Sequence, residues 1–225
     1  MFMAQKDYSL AQGMQLLISD FMLPFPFLIS FIVAVIIAAI AGTVASLFAS
    51  NGVFATGNNL ILLPLGAIIL NSAIRFIMIL IEAFGVIWQS DAVSIRSRGY
   101  RFGLESSFRS TFASISKYAR IMVFMAIIGT AINFVPLFGG SLSNLWIAYS
   151  AYALMLSSLT GRTFYDALSK GTDSLQKMYD SESITGIFFA LVIIVSVIPV
   201  ISGLAILVEV ILGSAAIVEY ENKQG

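Results

Sequence analysis

Long apolar stretches without charge alternate with short charged segments along this chain. Residues 21–74, 121–161 and 183–208 contain no charged side chain. A helix needs about 20 consecutive apolar residues to cross the hydrocarbon core of a bilayer. Because each of these stretches is long enough for at least one such helix, the pattern predicts an all-α polytopic membrane protein.

The apolar stretches divide into six predicted transmembrane helices, arranged as three hairpins in a single transmembrane domain covering residues 1–225. Turns between them are marked by Pro, Gly and Asn, and apolar positions at helical spacing mark three short amphipathic segments at the membrane interface. The stretch 184–218 is too long for one ordinary span, so two short helices are favoured, with a re-entrant pair as the alternative. The predicted spans are 24–48, 60–88, 119–136, 144–161, 184–199 and 203–219, and the interfacial segments are 8–20, 102–118 and 164–180.

The distribution of charge predicts the orientation. The three turns on one side, 49–59, 136–144 and 199–202, carry no charged residue. Because Lys and Arg favour the cytoplasmic face, the interfacial helices and both termini are expected in the cytoplasm, with the chain in the plasma membrane of a prokaryote. Residues 1–20 hold no compact apolar run that ends at a small-residue cleavage site, so no signal peptide is expected.

A weak internal repeat accompanies this topology. The turns 136–140 and 199–203 share a Pro-x3-Gly pattern, and amphipathic segments begin at Leu104 and Leu168, with a third at Leu10. Two interpretations stay open. The chain contains three units, each an interfacial helix followed by a transmembrane hairpin, or the likeness is chance similarity among apolar hairpins.

Composition restricts the chemistry. The chain is 59% hydrophobic and 11% charged, with a mean hydropathy of +0.95 and a formal net charge of zero. It contains no Cys and no His, which excludes disulfides, Cys-based metal sites and His-based acid–base catalysis. The motifs GxxxxGK[ST], HExxH, CxxC and GxSxG do not occur. We therefore expect no enzymatic activity, no cofactor and no metal.

Polar side chains inside the predicted spans form the first candidate site. Arg75 and Glu82 lie two turns apart on one face of the second span, Asn71 shares that face, and Glu209 lies in the sixth span. Charges within a membrane are costly, face the bundle interior and usually find partners. We expect Arg75 to pair with Glu209, with Glu82 completing a triad. Two interpretations of this set are open. In the first, it serves function by binding an ion or solute or by relaying protons. The favoured interpretation is a structural ion pair between two helices.

The basic segment between the second and third spans is the second candidate site. An apolar stripe beside cations suits an anionic lipid surface, whereas the alternative is charge that only orients the protein. Nucleic-acid binding is disfavoured, because the cluster is short and has no matching basic face elsewhere. The candidate head-group ligands are Arg96, Arg98, Arg101, Arg109, Lys117 and Arg120.

A stripe of small residues on the first predicted span indicates helix packing. Small side chains let two helix backbones approach closely, and packing rather than hydrophobicity drives the association of helices in lipid. The stripe consists of Ala34, Ala38, Gly42 and Ala45.

Spaced carboxylates in the last charged segment indicate ion pairs within a helix. Asp166 and Asp173 are each followed four residues later by a lysine, Lys170 and Lys177, a spacing that stabilises helices. A calcium-binding loop needs oxygen ligands at every second position instead. Metal binding by these carboxylates, or by the nearby Glu182, is therefore disfavoured.

Three local features resemble a known group of proteins. They are the amphipathic lead into a Phe-Pro-Phe motif at 16–32, the stretch 103–121 before the third span, and the segment 164–179 before a last hairpin that ends in GSAAIVEY at 213–220. Over most of its length, the chain resembles uncharacterised six-helix integral membrane protein families of bacteria and archaea. No activity is established for these families, so the resemblance implies no catalytic residue.

The patterns together predict a non-enzymatic integral membrane protein. It would act as an accessory, assembly or lipid-organising component of a membrane complex or homo-oligomer. The alternative is a small transporter or channel that uses Arg75, Glu82 and Glu209, and an enzyme acting on lipid is less favoured than either. Expected partners are membrane lipids, anionic ones included, and other membrane proteins or a second copy of the chain.

Overall fold

The computed structural model describes residues 8–50, 62–135 and 137–224, without the side chains of 44–50 and 62–67. Every regular element in these ranges is a helix, so the all-α prediction is confirmed. In chain order the helices are α1 (Ser9–Ser19), α2 (Phe25–Ser50), α3 (Leu62–Ser97), α4 (Leu104–Ala113), α5 (Ile115–Ile132), α6 (Gly139–Thr160), α7 (Phe164–Ser169), α8 (Gly171–Ser181), α9 (Ser183–Val195) and α10 (Ser202–Gln224). The predicted turn at 49–59 lies outside the described residues from 51 onward.

Four of the described helices are long and apolar enough to cross a membrane. These segments are Phe25–Thr43 in α2, Ile68–Ser97 in α3, Ile115–Ile132 in α5 and Ser202–Gln224 in α10. α9 has 13 residues, which extend about 20 Å and fall short of a hydrocarbon core of about 30 Å. The count of six spans and their arrangement as hairpins stay predictions.

α3 is longer than the sequence indicates, since it continues past Trp88 to Ser97. Two residues beyond this end lies Gly99, which has φ +80° and donates its N–H to the carbonyl of Arg96 at 3.0 Å. Glycine adopts this left-handed conformation without a Cβ clash, and so it commonly ends helices. At 36 residues, α3 is about 54 Å long, well above the thickness of a bilayer core.

The interfacial segments differ in detail from the prediction. The segment 164–180 forms two helices, α7 and α8, which are separated at Lys170. The segment 102–118 contains α4 and the beginning of α5, with a break at Ser114. The order of elements agrees with three units, each a short helical segment followed by two longer helices, but the repeat itself stays a prediction.

α3, α6 and α10 form the centre of the described structure, and each packs against the other two. α2 contacts α3 and α10, α5 contacts α3 and α6, and α9 contacts α10 and α6. α6 is the most enclosed helix: apart from Tyr149, all its residues at 147–157 are buried. Tyr152 of α6 and Phe189 of α9 pack with their ring centroids 5.0 Å apart in this core.

One end of the bundle collects most of the ionic contacts. The last turns of α3, α6 and α10 meet there with the first turn of α5 and with the short helices α1, α4, α7 and α8. Ion pairs join Arg96 to Asp20 and Lys223 to Glu182 in this region. We call this region the charged end.

Two close helix contacts lie outside the predicted small-residue stripe. A Cβ on Gly85 of α3 would lie 2.6 Å from the Cβ of Ser30 in α2. A Cβ on Gly13 of α1 would lie 2.8 Å from the backbone nitrogen of Ala216 in α10. The missing side chains of these two glycines therefore let α2 lie against α3 and α1 lie against α10.

Only part of the predicted stripe lies at a described helix contact. Ala34 is fully buried and Ala38 is half-buried, whereas Gly42 is exposed, with no atom within 4 Å of the position that a Cβ would take. Gly42 has no described neighbour, and its part in helix packing stays a prediction. The side chain of Ala45 lies outside the described residues.

Candidate functional site

Arg75 is held by the beginning of α6. Its Nη2 donates to Oδ1 of Asn144 at 2.6 Å and to Oγ of Ser143 at 3.2 Å. Ser143 donates in turn to the carbonyl oxygen of Gly129 in α5 at 2.8 Å. Arg75 therefore links α3 to α6 directly and to α5 through Ser143. Neither Ser143 nor Asn144 was predicted from the sequence as a partner.

Glu209 does not pair with Arg75, so the predicted ion pair is wrong. Glu209 is fully buried in α10, and neither of its carboxylate oxygens has a hydrogen-bond partner among the described residues. The physical reason lies in the packing of the centre, where α3 contacts both α6 and α10. Counting residues along each predicted span places Arg75 and Glu209 at a similar depth in the membrane. It does not show which neighbouring helix each side chain faces.

The other two residues of the predicted intramembrane site do not join Arg75 through hydrogen bonds. Asn71 is exposed and Glu82 is half-buried on α3. Glu82 lies seven residues from Arg75, about 10 Å along the helix axis. Within the described ranges, Arg75, Glu82, Glu209 and Asn71 form no hydrogen bond or ion pair with one another.

Two of the predicted head-group ligands form ion pairs within the protein. Arg96 lies with its Nε 3.3 Å from Oδ2 of Asp20, so it joins the end of α3 to the residue that follows α1. Arg109 lies with its Nη2 2.7 Å from Oε1 of Glu105, and both side chains are largely exposed. Because exposed pairs of this kind contribute little free energy, Arg109 remains accessible to an anionic ligand.

The other four predicted ligands are exposed at the charged end. The Nζ of Lys117 lies 5.1 Å from the ring centroid of Tyr118. Arg98, Arg101 and Arg120 form no ion pair with any described residue. These four cations are therefore accessible from outside the bundle.

α4 presents an exposed aromatic side chain beside these cations. Nε1 of Trp88 donates to Oγ of Ser107 at 2.8 Å, and Oγ1 of Thr111 donates to Oδ2 of Asp91 at 2.8 Å. These two hydrogen bonds hold α4 on the end of α3, while Phe112 stays 58% exposed. An exposed aromatic ring next to cations is typical of a helix that lies at a membrane surface.

Glu182 joins three helix ends. Its carboxylate accepts hydrogen bonds from the N–H and hydroxyl of Ser9 at 2.7 and 2.9 Å, from Thr185 at 3.0 Å, and from Nζ of Lys223 at 2.9 Å. Burial alone would raise the pKa of Glu182, but these hydrogen bonds, beginning with that from Lys223, hold it below its ordinary value. Glu182 thus connects the starts of α1 and α9 with the end of α10, a role that the sequence did not indicate.

The predicted ion pair between Asp166 and Lys170 is confirmed, with 2.8 Å between Oδ1 and Nζ. The hydrogen bond from Lys170 lowers the pKa of the exposed Asp166 carboxyl. The corresponding pair of Asp173 and Lys177 is not formed. Among the described residues, no group of three or more carboxylates is placed to hold a metal ion.

A partly polar cavity of about 320 Å³ opens at the charged end between α5, α6 and α7. Lys117 and Arg162 both line it. Arg162 was not singled out from the sequence. The available signal was its position, because it is the first charged residue after the uncharged stretch 121–161 and follows Gly161 at the end of α6.

Comparison of this chain with protein-family models, with curated proteins and with solved structures finds no match. The structure supports a helical protein with four described helices that are long and apolar enough to cross a membrane. The resemblance to six-helix membrane protein families and the expected lack of enzymatic activity stay predictions.

Proposed function

We propose that this chain is a non-enzymatic integral membrane protein that organises lipids around its charged end. In this role it is an accessory or assembly component of a membrane complex or homo-oligomer. The observation that carries the proposal is the exposure of cations and aromatic rings together on the short helices and their flanks. Arg101 and Phe112 belong to the α4 region, and Tyr165 and Tyr179 extend the same pattern onto α7 and α8.

The proposed topology has six spans in three hairpins, α2 with α3, α5 with α6 and α9 with α10, in the plasma membrane of a prokaryote. The two helices of each pair contact each other. α6 is not among the four helices that are apolar enough to cross a membrane, but a helix enclosed by others does not need a lipid-facing apolar surface. The short α9 can be accommodated by local thinning of the bilayer. Because Lys and Arg favour the cytoplasmic side, the charged end and both termini are assigned to the cytoplasm.

The polar groups inside the spans support a structural role more than transport. The guanidinium of Arg75 is engaged by Ser143 and Asn144, which leaves it tied to α6. A transport pathway usually needs a series of polar groups along a water-filled route. Glu209 is instead sealed in the helix core, with no exposed surface.

The proposed function is tested by native mass spectrometry of the protein extracted gently from its own membrane. We expect retained anionic phospholipid, and we expect its amount to fall in a triple variant, Arg98→Gln, Arg101→Gln and Arg109→Gln. A comparison variant, Lys170→Gln and Lys177→Gln, removes two cations at α8, and it should lose less lipid than the triple variant because Lys170 is already paired with Asp166. A bare monomer without selected lipid or protein partner would contradict the proposal.

One observation favours the second candidate function, a small transporter or channel. The Glu209 carboxylate and the Ser150 hydroxyl are both fully buried and lack hydrogen-bond partners among the described residues. A buried polar group without a partner is costly, and transporters retain such groups for a coupled ion. Cation or proton flux in liposomes that disappears in Glu209→Gln, with the fold intact, would support this candidate. Equal leakage of wild type, variant and protein-free liposomes would exclude it.

A further inference from the structure

We propose that the cavity between α5, α6 and α7 binds the phosphate group of an anionic phospholipid from the adjacent leaflet. The proposal depends on the proposed function in one respect, that the charged end lies at a membrane surface. It adds a specific site, formed by Lys117 and Arg162, to the lipid contacts proposed for the outer surface of α4.

The lining of the cavity carries positive charge without a carboxylate. Lys117 and Arg162 are the charged residues that line it. Nη1 of Arg162 donates to Oγ of Ser174, on the side of the neighbouring cavity, at 3.2 Å, and the other N–H groups of the guanidinium are left for a ligand. Asp166 at the start of α7 is already engaged by Lys170. Two cations together, with no competing carboxylate in the lining, favour an anion with several acceptor oxygens.

The wall that carries Arg162 is held in place before any ligand arrives. Gly161 has φ +73° and reverses the chain at the end of α6. Oγ of Ser157 donates to the carbonyl oxygen of Arg162 at 2.8 Å, and Oγ1 of Thr163 accepts the N–H of Asp166 at 3.2 Å. A fixed wall reduces the entropy lost on binding.

The cavity lies where a phospholipid head group would lie. α5 is one of the helices able to cross a membrane, and Lys117 is in its first turn. Ile121 and Phe164 also line the cavity, and next to it the rings of Phe124 and Tyr165 pack with centroids 5.6 Å apart. A phospholipid would place its phosphate near the two cations and its glycerol and acyl chains along this apolar side. Inorganic phosphate would use only the polar half of the site.

Other cavities fit this ligand less well. A cavity of about 190 Å³ borders Arg162 from the side of α8 and α10, but the carboxylate of Glu221 lines it as well. Two larger grooves, of about 500 and 460 Å³, contain no charged residue. The cavity at Lys117 and Arg162 combines cations, hydroxyl groups and apolar side chains without an acidic group.

The proposal is tested by titrating delipidated full-length protein in detergent with phosphatidylglycerol, with phosphatidylcholine and with inorganic phosphate, and measuring bound ligand by native mass spectrometry. We expect phosphatidylglycerol to bind more tightly than the other two. The double variant Lys117→Gln, Arg162→Gln should lose about thirtyfold in affinity, from about fivefold for each cation at a membrane surface. The charge-conserving variant Lys117→Arg should keep most of the binding, which separates loss of the ligand from loss of the fold.

Each outcome decides the proposal. Unchanged phosphatidylglycerol affinity in the double variant would overturn the site. If the α4 triple variant still loses lipid, the proposed function survives that failure. Inorganic phosphate that binds as tightly as phosphatidylglycerol would overturn the lipid as the source of the phosphate. Wild-type protein that selects no anionic lipid would contradict the proposed function together with the site.

Discussion

Nζ of Lys223 donates a hydrogen bond of 2.9 Å to the carboxylate of Glu182, and so the end of α10 is tied to the start of α9. The same carboxylate accepts the backbone N–H of Ser9 at 2.7 Å. Glu182 is 8% exposed, so its hydrogen bonds face little competition from water. The hydrogen bonds of Glu182 with Ser9 and Lys223 thus connect α1 with α9 and α10.

Replacing Glu182 with Gln should destabilise the protein. The variant removes the negative charge that faces Lys223 and weakens acceptance from Ser9, and we expect the free energy of unfolding to fall by about 1–3 kcal/mol. The measurement is chemical unfolding in detergent micelles. The matched control is Glu105→Gln, which removes an exposed ion pair with Arg109 and should cost about 0.5 kcal/mol or less. Equal effects of the two substitutions would contradict the role assigned to Glu182.

The contribution of Glu182 should depend on pH in a defined direction. Because the folded state lowers the pKa of Glu182, its stabilising effect is complete above the ordinary glutamate value of about 4.3. It is lost as the pH falls through the folded-state pKa. The difference in unfolding free energy between wild type and Glu182→Gln should therefore shrink as the pH is lowered from about 5 to about 3. A difference that stays constant or grows over this range would be inconsistent with a lowered pKa.

Arg75 and Glu209 should contribute independently to stability. Arg75→Gln breaks the hydrogen bonds to Ser143 and Asn144 and should lower the free energy of unfolding by about 1–3 kcal/mol. Glu209→Gln removes a buried carboxylate without a partner and should cause no loss. In a double-mutant cycle the two effects should add to within about 0.5 kcal/mol. Recovery of stability in the double variant would show that the two side chains pair after all.

The contact between α2 and α3 should be sensitive to a single methyl group at Gly85. Gly85→Ala would place a Cβ 2.6 Å from that of Ser30, and overpacking of this kind costs about 1–3 kcal/mol. Gly42→Ala is the matched control on α2, where the space is open, and it should stabilise the helix by up to about 1 kcal/mol. The check is thermal unfolding of both variants in the same detergent. A tolerated Gly85→Ala would mean that α2 lies further from α3 than described.

The helices could largely be predicted from the sequence, because their signals are local. The apolar run before Pro199 and the glycine at position 203 locate α9 and α10 to within a few residues. The end of α3 was missed, since the polar residues after Trp88 were interpreted as a loop although the first left-handed position is Gly99. Hydrophobicity indicates where a helix meets lipid, but it does not show how far the helix continues beyond.

The partners of the charged residues could not be predicted, because they depend on which helix faces meet. Arg75 finds oxygen atoms 68 and 69 residues away, and Glu182 finds Ser9 173 residues away. The ion pair of Asp166 and Lys170 was predicted because its spacing is local. Lys117 lies in α5 and Arg162 in the loop between α6 and α7, so their common cavity has no signature in spacing.

The position of α1 determines when the bundle can be completed during synthesis. α1 contacts α10 and Glu182, and Glu182 is synthesised 173 residues after Ser9. Until then, its buried stripe of Ser9, Gly13 and Leu17 has no protein surface to cover it. The opposite side, with Met14 and Ile18 exposed, can rest on lipid during that interval. Docking of α1 onto α10 can therefore occur only after α10 has been synthesised.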